Sequence, residues 1–316
     1  MPERHVETIE HDIGATGLVT VDIIDGSVRV IGADGEEARL IVRSPEGDDA
    51  IGIAKIHRQA GELRVDVRGM SPGGGVHGLV RRDPPSIDLD VTVPRSARLH
   101  VNSVSADVHV SGVHGDQRHR TVSGDLDALG VEGNFIVQAV SGDVRVEGGS
   151  YSIETVTTSG DVEIRATRLL ATQLRSVSGD VELAGEFAAQ ASHRVETVSG
   201  DLRIAPVGGL TVSARGLSTS IHSQLPHRSE SRAGRRTVVI GDGRADLDFR
   251  SMSGDVSVID GTSEHGRSGD RPAGSSPLSP AVALPPRDEL SILRALERGD
   301  IDIDEATRLL EENDHG

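Results

Sequence analysis

A three-residue segment, Ser-Gly-Asp followed by Leu or Val, recurs along the middle of this chain and constrains its fold more than any other feature. The copies are Ser123-Gly124-Asp125, Ser141-Gly142-Asp143, Ser159-Gly160-Asp161, Ser178-Gly179-Asp180, Ser199-Gly200-Asp201 and Ser253-Gly254-Asp255. A near-copy, Ser105-Ala106-Asp107, precedes them, and successive aspartates up to Asp161 are 18 residues apart, with later spacings of 19 and 21. A short and nearly constant period is typical of one structural unit stacked on copies of itself.

The composition favours such a stack over a conventional globular core. Hydrophobic residues make up 35% of the 316 residues, and the chain contains one Tyr, three Phe and no Trp. A solenoid needs no large rings, because each coil buries its Val, Ile and Leu side chains against the next. A second alternating segment, such as residues 151–156, lies between consecutive turns, so each coil is predicted to contain two strands and two turns. We therefore predict an all-β fold, a single-stranded and right-handed parallel β-solenoid (β-helix) with about 18–21 residues per coil.

The alternation of apolar residues around each turn predicts which side chains face the interior. The aliphatic residues immediately before and after the motif are predicted to be buried, namely Val122 and Leu126, Val140 and Val144, Val177 and Val181, and Val198 and Leu202. The last coil, residues 251–259, is predicted to close the array. A hairpin made by residues 237–243 and 245–249 is predicted to come just before it.

Changes in composition divide the chain into four segments. Residues 1–94 are predicted to form an irregular β cap with the first coils, and residues 95–261 the repetitive solenoid of the same domain. Residues 262–286 are rich in Gly, Ser and Pro and are predicted to be a disordered linker. Residues 287–316 carry apolar side chains at helical spacing, which predicts a small α-helical hairpin that docks on a protein partner or on a second copy. Its docking residues are predicted to be Leu290, Leu293, Leu296, Ile301, Ala306, Leu309 and Leu310.

Turn chemistry accounts for every position of the repeated motif. Glycine accepts the positive φ of a tight turn, and Ser and Asp side chains bond to nearby backbone donors. The alternative is calcium, because stacked coils place the aspartates in one column and a hard cation relieves their repulsion. The calcium candidates are Asp125, Asp143, Asp161, Asp180 and Asp201. No other metal and no cofactor is predicted.

Four histidines lie close together in the sequence and raise the question of a metal site. They are His100, His109, His114 and His119. Their spacing suits neither one helical face nor the usual zinc ligand patterns. We therefore interpret them as surface residues.

Charge and residue types exclude several classes of function. The chain has 50 acidic and 33 basic residues, a net charge of −17, and it lacks the basic clusters and aromatic residues that nucleic-acid binding requires. Without cysteine, disulfides, thiolate metal sites and cysteine nucleophiles are excluded. No apolar run approaches the roughly 18 to 20 residues of a membrane span, which leaves peripheral membrane association open. The first residues show no signal peptide, which predicts a cytoplasmic protein.

Catalysis is not predicted. Parallel β-helix enzymes that act on polysaccharides carry a non-repeating cluster of acids, Arg or His on one face. In this chain the acids lie in the repeats, which favours a packing role over a unique catalytic site.

The repeated turn is specific enough to indicate a family. Residues 121–126, Thr-Val-Ser-Gly-Asp-Leu, and their copies, preceded by the alternating strand at residues 89–94, closely resemble the bacterial putative-adhesin family, domain of unknown function 4097. The resemblance covers most of residues 15–260 and implies a parallel β-solenoid without established catalytic residues. Residues 292–310 look like the short helical hairpin of envelope-stress proteins in Gram-positive bacteria, which implies a role in envelope stress.

Together, the residues and the resemblance favour a non-enzymatic solenoid that serves as an interaction scaffold in the bacterial envelope-stress response or its regulation. The alternatives are a surface adhesin and a carbohydrate-active β-helix enzyme.

Overall fold

The computed structural model describes residues 6–43, 54–67, 86–232 and 235–261, all within one unit of the chain, Met1–His265. These residues form strands only, with no α-helix among them. The strands are β1 (Val6–Asp12), β2 (Leu18–Ile23), β3 (Gly26–Ala33), β4 (Glu37–Arg43), β5 (Lys55–Gln59), β6 (Glu62–Val67), β7 (Ile87–Pro94), β8 (Arg98–Ser103), β9 (Asp107–Ser111), β10 (Gln117–Thr121), β11 (Leu126–Leu129), β12 (Glu132–Ala139), β13 (Val144–Glu147), β14 (Ser150–Thr157), β15 (Val162–Ser178), β16 (Val181–Phe187), β17 (His193–Ser199), β18 (Leu202–Pro206), β19 (Leu210–Ser218), β20 (Ile221–Ser223), β21 (His227–Arg232), β22 (Arg235–Ile240), β23 (Ala245–Ser253) and β24 (Val256–Val258).

Each coil contributes one strand to each of two faces, and equivalent strands pair in parallel along the stack. Face 1 has the order β6, β2, β8, β10, β12, β14, β15, β17, β23 and β19. Face 2 has the order β7, β3, β9, β11, β13, β15, β16, β18, β24 and β20. The long strand β15 belongs to both faces, because it leaves face 2 and continues into face 1 of the next coil. The all-β solenoid with two strands per coil is thereby confirmed.

The core lies between the two faces and consists of stacked columns of branched aliphatic side chains. The residue that follows the motif forms one such column, which is almost fully buried: Val108, Leu126, Val144, Val162, Val181, Leu202 and Val256. β-Branched and other aliphatic residues pack well on a pleated, inward-facing surface. The described aromatic rings are few and buried, with Phe135, Tyr151 and Phe249 among the least exposed side chains.

The prediction that the residue immediately before the motif is buried is wrong, because the residue one position earlier is buried instead. Val122 and Val198 are 44% and 45% exposed, whereas the preceding Thr121 and Thr197 face the interior. The Thr121 hydroxyl donates to the carbonyl oxygen of Gly124 at 3.0 Å, and the hydroxyl oxygen of Thr121 accepts from the Gly124 N–H at 3.0 Å. A small polar side chain at the inward position can bond to the turn from inside, and the aliphatic residue that follows is therefore left outside.

At each end of the stack, the order of coils in space differs from their order in the chain. The coil of β6 and β7 lies outside the coil of β2 and β3. At the other end, β23 and β24 lie between β17 and β18 on one side and β19 and β20 on the other. The prediction that residues 251–259 close the array is therefore wrong, because the outermost parallel coil at this end is the one before it in sequence.

Antiparallel strands cover the edges of the outermost coils. On face 2, β4 pairs with β7 and β1 pairs with β4, while on face 1 β5 pairs with β6. At the other end, β22 pairs with β19 and β21 pairs with β22. The predicted hairpin of residues 237–243 and 245–249 is therefore wrong: β22 and β21 form the hairpin, and β23 enters the parallel stack. Such covering strands remove open edges that would otherwise pair with other chains.

The predicted linker at residues 262–286 and the predicted helical hairpin at residues 287–316 lie outside the described residues. The described residues include no helix of the length and hydrophobicity needed to cross a membrane.

Candidate interaction edge

The Ser-Gly-Asp turns lie one above another and form a narrow side of the solenoid, which we call the turn edge. In most of these turns the close stacking leaves no room for a side chain on the middle residue. A β-carbon at Gly142 would lie 2.1 Å from the carbonyl oxygen of Gly124, and one at Gly179 would lie 2.2 Å from that of Gly160. Gly179 also has a φ of 122°, a region that residues with a side chain rarely adopt.

The aspartates of the turn edge form a hydrogen-bonded ladder, which we call the Asp column. The Oδ1 atom of each accepts a hydrogen bond from the backbone N–H of the Asp in the next coil, at 2.8–3.1 Å. The column consists of Asp107, Asp125, Asp143, Asp161, Asp180, Asp201 and Asp255. It ends at Ser220, whose N–H and Oγ donate to Asp255 at 2.8 and 2.7 Å and lower the pKa of that carboxyl.

The serines of the motif bond across coils in the same way. The hydroxyls of Ser123 and Ser141 donate to the carbonyl oxygens of Val104 and Val122 at 3.2 and 3.1 Å. These serines and the aspartates of the column thus bond to the backbone of a neighbouring coil instead of only to their own turns. This contact between coils is the part of the motif's role that the sequence does not show.

Among the described residues, no group of three or more His, Asp or Glu side chains is arranged to hold a metal ion. The calcium candidates Asp125, Asp143, Asp161, Asp180 and Asp201 lie in one column, and each uses one carboxylate oxygen for a backbone N–H.

Replacing Asp161 separates the hydrogen bond that its carboxylate accepts from the negative charge that it carries. We expect Asp161→Asn to leave the free energy of unfolding unchanged or slightly raised, because the amide oxygen can still accept the Asp180 N–H and a like charge is removed from the column. We expect Asp161→Ala to lose about 1 kcal/mol, since that N–H then has no acceptor. Urea unfolding of the two variants tests this expectation, and equal destabilisation by both would contradict the ladder's role.

Beside the Asp column runs an exposed apolar column, made by the residue that precedes the motif serine in each coil. Its members are Val104, Val122, Val140, Val177, Val198, Met252 and Leu217, with Thr158 at one level. Val104, Met252 and Leu217 are 44%, 57% and 88% exposed. Val140 and Val177 are half-buried. Isolated exposed aliphatic side chains are common, but here they lie in register as one apolar strip, which Thr158 interrupts at one level.

The charges of the turn edge are unbalanced, whereas those of face 2 are neutralised. Across face 2, Arg145 lies 3.6 Å from Asp127 and 3.1 Å from Glu163, and Glu182 pairs with Arg165 and Arg203 at 2.7 and 3.6 Å. The hydrogen bond to Glu163 raises the pKa of Arg145. The seven carboxylates of the Asp column are exposed, and within the described part of the chain none forms an ion pair.

The histidines predicted to lie on the surface do not share one environment. His119 is 3% exposed, and its ring lies 5.0 Å from that of Phe135, so the surface interpretation is wrong for this residue. Burial lowers its pKa to about 3, which keeps the side chain neutral. His100, His109 and His114 are at least partly exposed, and the described residues do not bring them together as a metal site.

One described serine, Ser220, contacts both a histidine and a carboxylate, as a catalytic nucleophile would. Its Oγ lies 3.0 Å from Nε2 of His222 and 2.7 Å from Oδ1 of Asp255. In a catalytic triad the carboxylate orients the histidine, whereas here the carboxylate accepts from the serine itself. All three side chains are at least partly exposed, and the contact completes the Asp column instead of activating the hydroxyl.

Face 1 carries a trough of about 510 Å³, lined by residues that include Asp116, Asn134, Ser152 and Glu154. Asp116 already accepts hydrogen bonds from the backbone and side chain of Asn134, at 3.4 and 2.9 Å. The phenyl ring of Phe135, which also lines the trough, is fully buried.

A model of the Toastrack DUF4097 family matches residues 62–259, which include the six Ser-Gly-Asp turns named above and both columns of the turn edge. The chain belongs to the Toastrack DUF4097 family. The resemblance to this family, inferred from the repeated turn, is thereby confirmed. Residues 292–310, which look like a helical hairpin, lie outside the described residues. No curated protein sequence matches this Toastrack chain.

Several solved structures are similar to this Toastrack protein at low identity. A putative adhesin from Bacteroides fragilis is 13% identical, with a TM-score of 0.49 over 82% of this chain and 99% of its own. A putative lipid binding protein from Parabacteroides distasonis is 11% identical, with a TM-score of 0.34 over 80% and 96%. A putative adhesin from the same species is 12% identical, with a TM-score of 0.25 over 82% and 98%.

Proposed function

We propose that this Toastrack protein is a non-enzymatic interaction scaffold and that its turn edge is the surface that meets a partner. The observation that carries the proposal is the apolar column, in which Val104, Val122 and Val198 remain about half exposed along one straight edge. Removing such a strip from water is favourable and supplies the driving force for association.

The turn edge is also rigid, which favours binding. Close stacking of the glycines, the cross-coil hydrogen bonds of Ser123 and Ser141 and the Asp ladder hold the stacked turns together. A surface that is already ordered loses little conformational freedom when a partner binds.

The resemblance of the tail supports a finer version of this proposal, in which the scaffold serves the envelope-stress response. Residues 287–316 would then provide a second contact with the protein partner or with another copy, through the apolar residues named above. A tethered second contact raises the overall affinity by increasing the effective concentration of the binding groups.

Site-specific photo-cross-linking in cells tests the turn edge as a partner surface. We expect a photoreactive amino acid at Val122 or Val198 to give discrete cross-linked products, since both side chains lie on the edge. The matched control is Leu129, which is 58% exposed on the outside of face 2 and should give none. Equal products from all three positions, or none from either edge position, would contradict the proposal. The same measurement on a chain ending at residue 286 tests the tail, which contributes only if the products decrease.

A further inference from the structure

We propose that the turn edge binds a cationic, amphipathic peptide segment. This inference rests on the proposed function and deepens it by naming the chemistry of the partner. It is carried by two columns that run side by side along the same edge, one apolar and one of carboxylates without ion-pair partners among the described residues.

The spacing within one turn keeps the two columns together. In most coils the apolar residue and the aspartate are separated only by Ser and Gly, as in Val122 to Asp125. The exceptions are Thr158 in the coil of Asp161, Ala106 in the coil of Val104, and Ser220 in place of the aspartate in the coil of Leu217. The coils stack in register, so the two columns stay parallel from Val104 to Met252. A partner that carries an apolar strip beside a basic strip matches both columns at once.

The length of the edge indicates the length of the segment. Eight levels from Val104 to Leu217 span about 34 Å, because stacked coils lie about 4.8 Å apart. An α-helix rises about 1.5 Å per residue, so a helix of about 22 residues covers the edge.

The carboxylates of the Asp column disfavour an anionic membrane as the binding partner. The column of carboxylates lies next to the apolar side chains, so any approach that buries the apolar column brings the carboxylates to the lipid headgroups. Anionic headgroups attract basic segments and repel acidic ones.

A second copy of the chain is disfavoured for a related reason. A two-fold axis across the edge would place each Asp column against the partner's Asp column. A two-fold axis along the edge would place each Asp column against the partner's apolar column. Both arrangements bury carboxylates without a counter-charge, which is costly.

Fluorescence anisotropy with defined peptides tests the proposal on the full chain. The probe is a labelled helical peptide of about 22 residues, with one face of Leu and the adjoining face of Lys. Two control peptides replace every Lys with Glu or scramble the order at constant composition. We expect the Lys peptide to bind at least about tenfold more tightly than either control and to weaken as salt is raised.

Variants of the turn edge test whether the peptide binds there or elsewhere on this acidic protein. We expect Asp143→Asn, Asp161→Asn and Asp180→Asn together to weaken binding about tenfold, because the hydrogen bonds remain and only charge is lost. The matched control, Glu36→Gln with Glu37→Gln and Asp246→Asn, removes the same charge from exposed positions elsewhere and should leave binding nearly unchanged. Val122→Ser with Val198→Ser should also weaken it, whereas Leu129→Ser should not.

Three results would overturn the proposal. These are equal affinity for the Lys and Glu peptides, equal loss from the edge variant and its charge control, and association with anionic phosphatidylglycerol vesicles in preference to the Lys peptide. The failure of this inference can be distinguished from a failure of the proposed function. If cross-links still form specifically at Val122 while the Lys peptide does not bind, the edge is a partner surface and only the cationic chemistry is wrong.

Discussion

Gly142→Ala is expected to destabilise the fold by about 3 kcal/mol or more, because it forces two packed turns apart. A β-carbon at this position would lie 2.1 Å from the carbonyl oxygen and 2.8 Å from the carbonyl carbon of Gly124. Both are backbone atoms of a coil that is itself held by its neighbours, so no flexible side chain can move to make room. The midpoint of urea unfolding measures the loss.

Gly130→Ala is the control for Gly142→Ala. Gly130 has a φ of 62°, and no atom lies within 4 Å of the position of its β-carbon. It therefore tests the backbone conformation without the clash, and we expect a loss of only about 1 kcal/mol. Similar losses from the two substitutions would contradict the argument that stacking requires glycine.

Ala106 shows that the requirement depends on the neighbouring turn. It occupies the glycine position of its coil and is fully buried. On one side its neighbour is the turn Ser123-Gly124-Asp125, but on the other it is Asp25-Gly26-Ser27, in which the two polar residues are exchanged and Ser105 donates to Asp25 at 3.2 Å. Gly142 lies between two regular turns.

The stability of the protein is expected to fall as the pH is lowered from about 6.5 to 5, through His119. Burial lowers the pKa of His119 to about 3 in the folded protein, whereas an unfolded histidine has its ordinary pKa of about 6.5. The unfolded chain therefore takes up the proton first, and stability is lost as the pH falls below the unfolded value. The loss is about 2 kcal/mol at pH 5, above the range in which most carboxylates titrate.

Urea unfolding at pH 7 and pH 5 measures this effect. His119→Phe keeps a ring beside Phe135 and removes the titrating group, so we expect the difference between the two pH values to shrink by about 2 kcal/mol. Burial also lowers the pKa of His193, which should leave a smaller residual dependence in the same direction. An unchanged difference in His119→Phe would contradict this assignment.

Much of the candidate site could be predicted from the repeated motif, and one essential part could not. The spacing predicts that Asp143 and Asp161 stack, because equivalent positions of a solenoid lie above one another. The exposed apolar column was missed, since the alternation of Val140 and Val144 around the turn predicts that both are buried. A signal was present in Thr121 and Ser176, small polar residues at the inward position from which the hydroxyl bonds to the turn.

The residue at the glycine position indicates where the stack ends. The outermost parallel coils of the described stack have Ile87 and Thr219 at the glycine position. Between these ends, every described coil has glycine at this position except the interior coil of β8 and β9, which has the small residue Ala106. A residue larger than alanine there therefore marks an end of the described stack, even where the chain continues into another coil.

By itself, the sequence determined the architecture: an all-β stack of two-stranded coils, with its period and its turns. Periodic patterns follow from local geometry, because strands alternate at every second residue and tight turns require Gly, Ser and Asp. Only the tertiary structure decided that Val122 faces solvent, that β23 lies inside β19, and that Asp161 accepts from Asp180. These features depend on which coil lies next to which, and contacts between distant residues are not encoded in any local pattern.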